Sequence, residues 1–245
     1  TALGSLMLRK NDPAAAAEWY SKTAVLWQRA RQSADGIPER RAYGEALLGW
    51  GKALLLQQEM DDAETISQKA LRLFQEQAER YRTLECIRSY SAALNLCGRI
   101  AEAKADYPAA SRYYTVSLEC RRDLLKHFTS NGGIYDCALS RMLLAQVEHL
   151  QGLNRPAKQG YDEVLQMLRP LLPKDQNQSW HLLFSQAAFE RFRLDTFSGE
   201  PYLQDAIRAE AWLAEHMPGE AARTEHRNLQ ERYTRMHRRC YPTTR

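Results

Sequence analysis

Apolar positions in this chain recur at steps of three and four, in long stretches interrupted by short polar corners. The stretch "GWGKALLLQQEMDDAETISQKAL", starting at Gly49, shows the form: an amphipathic helix, a tight corner at "QQEMDDA" and a second amphipathic helix. Neither helix can bury its own apolar stripe, because a lone helix pair leaves most of that stripe facing water. No alternating β-branched run of any length appears, so strands are not expected.

What the pair stacks against is its own copies. Gly4, Gly51 and Gly98 stand 47 residues apart. Twelve residues after each glycine comes an alanine, Ala16, Ala63 and Ala110; the same step reaches Ala157, with Ala145 in the glycine's place. Tyr20, Ser67, Tyr114 and Tyr161 follow four residues later, and Thr23, Ala70, Ser117 and Val164 seven later, on one helical face. A small side chain where two helices cross lets their axes approach, and a large one beside it fills the gap. The breakers "RQSADGIP", "TSNGG" and "PLLPKDQNQS" fall between units. "KNDP" and "LNRP" fall at the corner within a unit, where proline suits a helix start. Near "QAERYRTLE" no breaker marks the joint. One solenoid over 1–245 is expected, with units at 1–36, 37–80, 81–130, 131–175 and 176–218 and a closing helix at 219–240.

The pattern resembles the tetratricopeptide repeat family, whose unit has small residues at its eighth, twentieth and twenty-seventh positions and a large one at the twenty-fourth. Gly51, Ala63 and Ala70 carry the resemblance in the second unit; Gly98, Ala110, Tyr114 and Ser117 in the third; Ala145, Ala157, Tyr161 and Val164 in the fourth. A fifth unit, slightly shifted, fits "PYLQDAIRAEAWLAEHMP", with Ala206, Leu213 and Pro218. The period departs from the family's 34 residues, so each helix should run to about 18–22 residues, roughly 30 Å. The large residue is missing at Ser67. Long units of this kind look like those of bacterial signalling regulators. HEAT and armadillo arrays are the rival, but their proline within the first helix is absent. The resemblance implies an all-α, right-handed α-solenoid of about five antiparallel helical hairpins plus a C-terminal closing helix.

Composition agrees with helix and excludes several classes. The 245 residues hold 12 Gly and 9 Pro and are 44% hydrophobic and 26% charged, which is globular. A formal net charge of +4 does not make phosphate neutralisation the main task. Cys86, Cys97, Cys120, Cys137 and Cys240 form no CxxC pair and read as reduced thiols in an intracellular, cytoplasmic protein. "NQS" at Asn177 matches a glycosylation sequon of little weight. No run approaches the roughly 20 apolar residues of a membrane helix, so no membrane partner is expected. The opening "TALGSLMLRK" lacks a methionine and lies inside a helical pattern, so the chain is expected to be a fragment of a longer one.

Chemistry is sparse. No phosphate-cradling glycine loop, HExxH, GxSxG or dinucleotide fingerprint occurs, and neither metal nor cofactor is expected. His237 and Cys240 in "HRRC" lack a third orienting group. Asp61, Asp62 and Glu64 read as a favourable helix start. Trp19, Trp27, Trp50, Trp180 and Trp212 read as core. In the tetratricopeptide family the first helices of successive units line the binding face. The resemblance places Lys52, Asn95, Arg99, Met142, Gln146, His149 and Arg191 there, a set suited to a carboxylate-bearing protein or peptide. The arginine-rich end, with Arg223, Arg227, Arg232, Arg235, Arg238, Arg239 and Arg245, is a second basic surface. The reading is a non-catalytic protein-interaction scaffold, the partner-binding or sensor part of a larger regulatory protein. The alternative is a nucleic-acid-associated regulator using Arg227, Arg235, Arg238 and Arg239.

Overall fold

The structure, a computed structural model, describes residues 2–33, 36–173 and 177–242. Helix makes up 85% of the described residues, against roughly one third in an average globular protein. Among the described residues there are eleven helices and no strand. They are α1 (Ala2–Arg9), α2 (Pro13–Ser33), α3 (Ile37–Leu56), α4 (Met60–Tyr81), α5 (Leu84–Ala103), α6 (Tyr107–His127), α7 (Asn131–Leu150), α8 (Asn154–Leu168), α9 (Gln178–Arg193), α10 (Glu200–His216) and α11 (Glu220–Cys240). They fall into two compact units, Thr1–His127 and Phe128–Arg245. Within each unit every helix packs on its neighbour in the chain, which is the packing of an all-α solenoid.

The 47-residue step reappears as a repeated backbone device. The corners of the first four hairpins each put one residue in the left-handed region: Asn11 (φ 58°), Gln58 (φ 64°), Ala105 (φ 59°) and Gly152 (φ 76°). The next amide then turns back onto the first helix, from Asp12 to Met7 O, Glu59 to Leu54 O, Asp106 to Ala101 O and Leu153 to Glu148 O, at 2.8–3.0 Å. This is the Schellman closure, which satisfies carbonyls the helix end leaves open. Asp12 and Asp106 also cap the following helix, accepting from the amides of Ala15 and Ala109 at 3.0 Å.

Small residues meet large ones where the helices cross. Ala16, Ala63, Ala110, Ala145 and Ala157 are fully buried. A Cβ on Gly4 would come within 2.6 Å of the Tyr20 ring, and one on Gly98 would enter the Tyr114 ring. In the second hairpin the device moves by two turns on both helices, in opposite directions. Gly51 faces the Ser67 side chain and Leu96, while Gly44 takes the Phe74 ring. Seven residues back on α3 and seven on along α4 is the same level of an antiparallel pair, so the ring missing at Ser67 is restored there.

Several expectations need correction. Helices α8, α9 and α10 have 15, 16 and 17 residues, below the expected span, because each begins or ends at a breaker. The unmarked joint near residue 82 is made by Arg82 in the left-handed region (φ 48°) and by Thr83, whose hydroxyl accepts from the Cys86 amide at 3.3 Å. Asn177 serves as the N-cap of α9, accepting from Ser179 N at 3.0 Å. Trp19 is 41% exposed, whereas Trp180 is core. Asp61 and Glu64 bind Lys104 across the helix interface at 2.8 and 2.7 Å rather than serving only their own helix start. The Lys104 hydrogen bond holds the Asp61 carboxyl below its ordinary value.

Candidate partner-binding face

In the N-terminal unit the first helices α3 and α5 each carry one cation at the same phase, where α1 has Ser5. Lys52 on α3 and Arg99 on α5 stand one repeat apart on helices that touch, and both are exposed. Among the described residues neither has a hydrogen-bond or ion-pair partner. Eleven residues earlier, about 16 Å along each axis and on the same face, stand Arg41 and Arg88, also exposed. Arg41 is already held by Glu45 at 2.8 Å. The face therefore presents two uncompensated cations on adjacent, rigid helices, an arrangement that suits a carboxylate-bearing ligand.

The other expected groove residues divide. Asn95 lies on α5 between these rows but is only 8% exposed, so little of its amide can reach a ligand. In the C-terminal unit Gln146 and His149 are half-buried on α7. Met142 does not belong to a binding face, because it is 1% exposed within the core formed with Ala157, Tyr161 and Phe184. Arg191 is also withdrawn. Its Nε donates to both Asp162 oxygens at 3.0 and 3.2 Å, and its guanidinium lies 4.5 Å from the Tyr202 ring centre. Met142 stands one repeat after Asn95, which is buried too, so this position faces inward in both units, while Arg191 is drawn in by Asp162 on α8.

A cleft of about 400 Å³ opens between α4, α5 and α6, lined among others by Glu64, Gln68, Cys97, Lys104 and Tyr113. Its polar groups already satisfy one another: Lys104 holds Asp61 and Glu64, and Gln68 donates to the Tyr113 hydroxyl at 2.7 Å. Burial pushes the Cys97 thiol up to about 12, which removes it as a nucleophile. Cys86 and Cys137 are buried as well, Cys120 is half-buried and Cys240 is exposed.

Sequence reading gave no sign of the polar network in the C-terminal unit. Ser185 Oγ donates to Glu210 Oε1 at 2.5 Å, and His226 Nδ1 donates to Glu210 Oε2 at 2.6 Å, tying α9, α10 and α11 through one buried carboxylate. The three residue types are those of a hydrolase, but the order is wrong. The carboxylate sits between serine and histidine, so the imidazole cannot take the hydroxyl proton. Arg141 is likewise buried, with Glu163 at 2.9 Å and Glu148 at 3.1 Å, in space that a side chain on Gly160 would fill. On α11, Arg227 binds Glu220 at 2.6 Å, while Arg235, Arg238 and Arg239 are exposed; Arg245 lies outside the described residues.

Fold and site together define a helical-repeat protein with a basic first-helix face. No group of metal-ligating side chains occurs among the described residues, and no described helix is long and apolar enough to cross a membrane. No protein-family model matches the chain, and no curated protein matches it. Among solved structures it is similar to BtubC (BKLC) from P. vanneervenii, with a TM-score of 0.61 and 12% identity over 94% of this chain and 93% of that one. At that identity the likeness speaks to the fold alone. The C-terminal part of a TPR repeat-containing protein from Cytophaga hutchinsonii aligns over 100% of this chain and 96% of that one, at 14% identity and a TM-score of 0.39.

Proposed function

We propose that the chain is a non-catalytic interaction scaffold, the partner-binding part of a larger regulatory protein, and that its N-terminal unit holds an acidic peptide along α3 and α5. The observation that carries this reading is the pair Lys52 and Arg99, exposed at equal phase on touching helices without an internal partner. A repeat scaffold presents such residues at fixed spacing, so an extended peptide meets them without reorganisation of the receptor. Each charge-assisted hydrogen bond that becomes desolvated in the complex contributes about 1.5–3 kcal/mol. Fluorescence polarisation with a labelled Asp/Glu-rich peptide tests the reading. Lys52→Ala with Arg99→Ala should weaken binding at least tenfold, while Gln146→Ala leaves it unchanged; equal affinity of the double variant and the parent would defeat the proposal.

A further inference from the structure

The arginines of α11 are divided by what they already hold. In its first half, Arg223 and Arg227 bind Glu220 at 3.0 and 2.6 Å, and these bonds, Arg227 foremost, hold that carboxyl below its usual range. In its second half Arg232, Arg235, Arg238 and Arg239 are exposed, and among the described residues none has a hydrogen-bond or ion-pair partner. Arg232, Arg235 and Arg239 follow at steps of three and four with Arg238 beside them, on the side opposite the buried His226 and Tyr233. Glu231 is the only acid from Asn228 to Cys240.

Arg238, at one edge of this row, lines a groove of about 290 Å³ between α10 and α11 together with Gln204, Ile207, Arg208, Thr234 and His237. Arg208 and Arg169 share a single carboxylate, Asp205, at 2.8 and 2.5 Å, and so add further net positive charge. Six arginines thus stand with four carboxylates: Asp205, Glu231, Glu200, which holds His237 at 3.0 Å, and Glu225, which lines a second groove with Arg232. The helix dipole explains cations in the last turn, where His237, Arg238 and Arg239 lie, but not Arg232 and Arg235 before it. Every unpaired cation in the row is arginine, whose planar fork matches phosphate oxygens. From Arg232 to Arg239 the row spans about 10 Å, the length of about three phosphates of one strand at 3.4 Å each. An open groove beside a row of separate cations fits a run of phosphates better than one phosphorylated side chain.

We propose that this face binds the phosphate backbone of nucleic acid, without reading its sequence. The proposal is independent of the acidic-peptide face on α3 and α5. The probe is a fluorescein-labelled mixed-sequence DNA duplex, with affinity measured from about 50 to 200 mM salt. A slope of about −0.9 per phosphate neutralised predicts that four arginines weaken binding on the order of a hundredfold across that range. Substituting Arg232, Arg235, Arg238 and Arg239 by glutamine, which keeps helix propensity, should abolish that slope with the circular dichroism spectrum unchanged. Arg223→Gln with Arg227→Gln should retain the slope, and so should Lys52→Ala with Arg99→Ala. An unchanged slope in the quadruple variant, no salt-dependent binding by the parent, or capture of a phosphoserine peptide in preference to the duplex would each overturn the proposal.

Discussion

In the N-terminal unit the buried contacts at the helix crossings are geometric: glycine against Tyr20 or Tyr114 at the repeat level, and against Phe74 two turns away from it. The C-terminal unit keeps Ala145 and Tyr161 buried at the repeat phase and buries charge besides: Arg141, Arg191, Asp205 and Glu210, with His181 and His226. Among the described residues Arg121 is the one buried ionisable side chain of that kind in the first unit. The two units therefore share one repeat but differ in how they are held. Shape complementarity degrades gradually when altered. A buried ion pair fails sharply when one partner is removed.

The largest expected effect is at Glu210. Glu210→Ala leaves the Ser185 hydroxyl and the His226 ring buried without their carboxylate and should destabilise the protein by about 3–5 kcal/mol in denaturant unfolding. A loss below about 1 kcal/mol would show that the network is solvated, and the contrast between the units would weaken.

In the first unit, Gly98→Ala forces the Tyr114 ring aside and should lose about 1–3 kcal/mol. Tyr114 is fully buried, and its hydroxyl donates to Glu102 at 3.0 Å, so the ring has little room to yield. A smaller gain is expected from Ala105→Gly, which relieves a left-handed alanine and should stabilise by about 0.5–1 kcal/mol. Loss of stability there would mean that the corner strain is not real.

A smaller, pH-dependent difference comes from histidine placement. His181 is buried, stacked on Trp212 with ring centres 3.6 Å apart, and among the described residues neither ring nitrogen has a hydrogen-bond partner. Burial, and secondarily His216, hold it below its ordinary value of 6.5. The unfolded chain then takes up a proton that the folded chain refuses. Its contribution is complete above that value and is lost as the pH falls through it toward the folded one. Thermal midpoints measured from pH 7.5 down to pH 5 should fall less in His181→Phe, which keeps a stacked ring. An identical decline would assign the acid sensitivity elsewhere.

What was legible in the chain is what repeats. Hairpin spacing, the buried alanines and the corners at "KNDP", "QQEMDDA" and "LNRP" follow from local chemistry read along the chain. The shift of the aromatic from Ser67 to Phe74 was visible only as an absence, although Gly44 at the matching level was a signal for it. The burial of Arg191 was not legible, because facing inward there depends on how α8 and α10 meet α9, whereas Met142 shares the phase of the buried Asn95. The Ser185–Glu210–His226 network was beyond reach for the same reason: three residues at unrelated spacings meet only once three helices have packed.

The central claim, that Lys52 and Arg99 form the binding face, is tested most directly by side-chain and amide chemical shifts during titration with an Asp/Glu-rich peptide. The largest changes should fall on Lys52, Arg99 and their exposed neighbours on α3 and α5, with Met142 and Arg191 unmoved. Changes concentrated on α7, α9 or α11, with Lys52 and Arg99 silent, would contradict it.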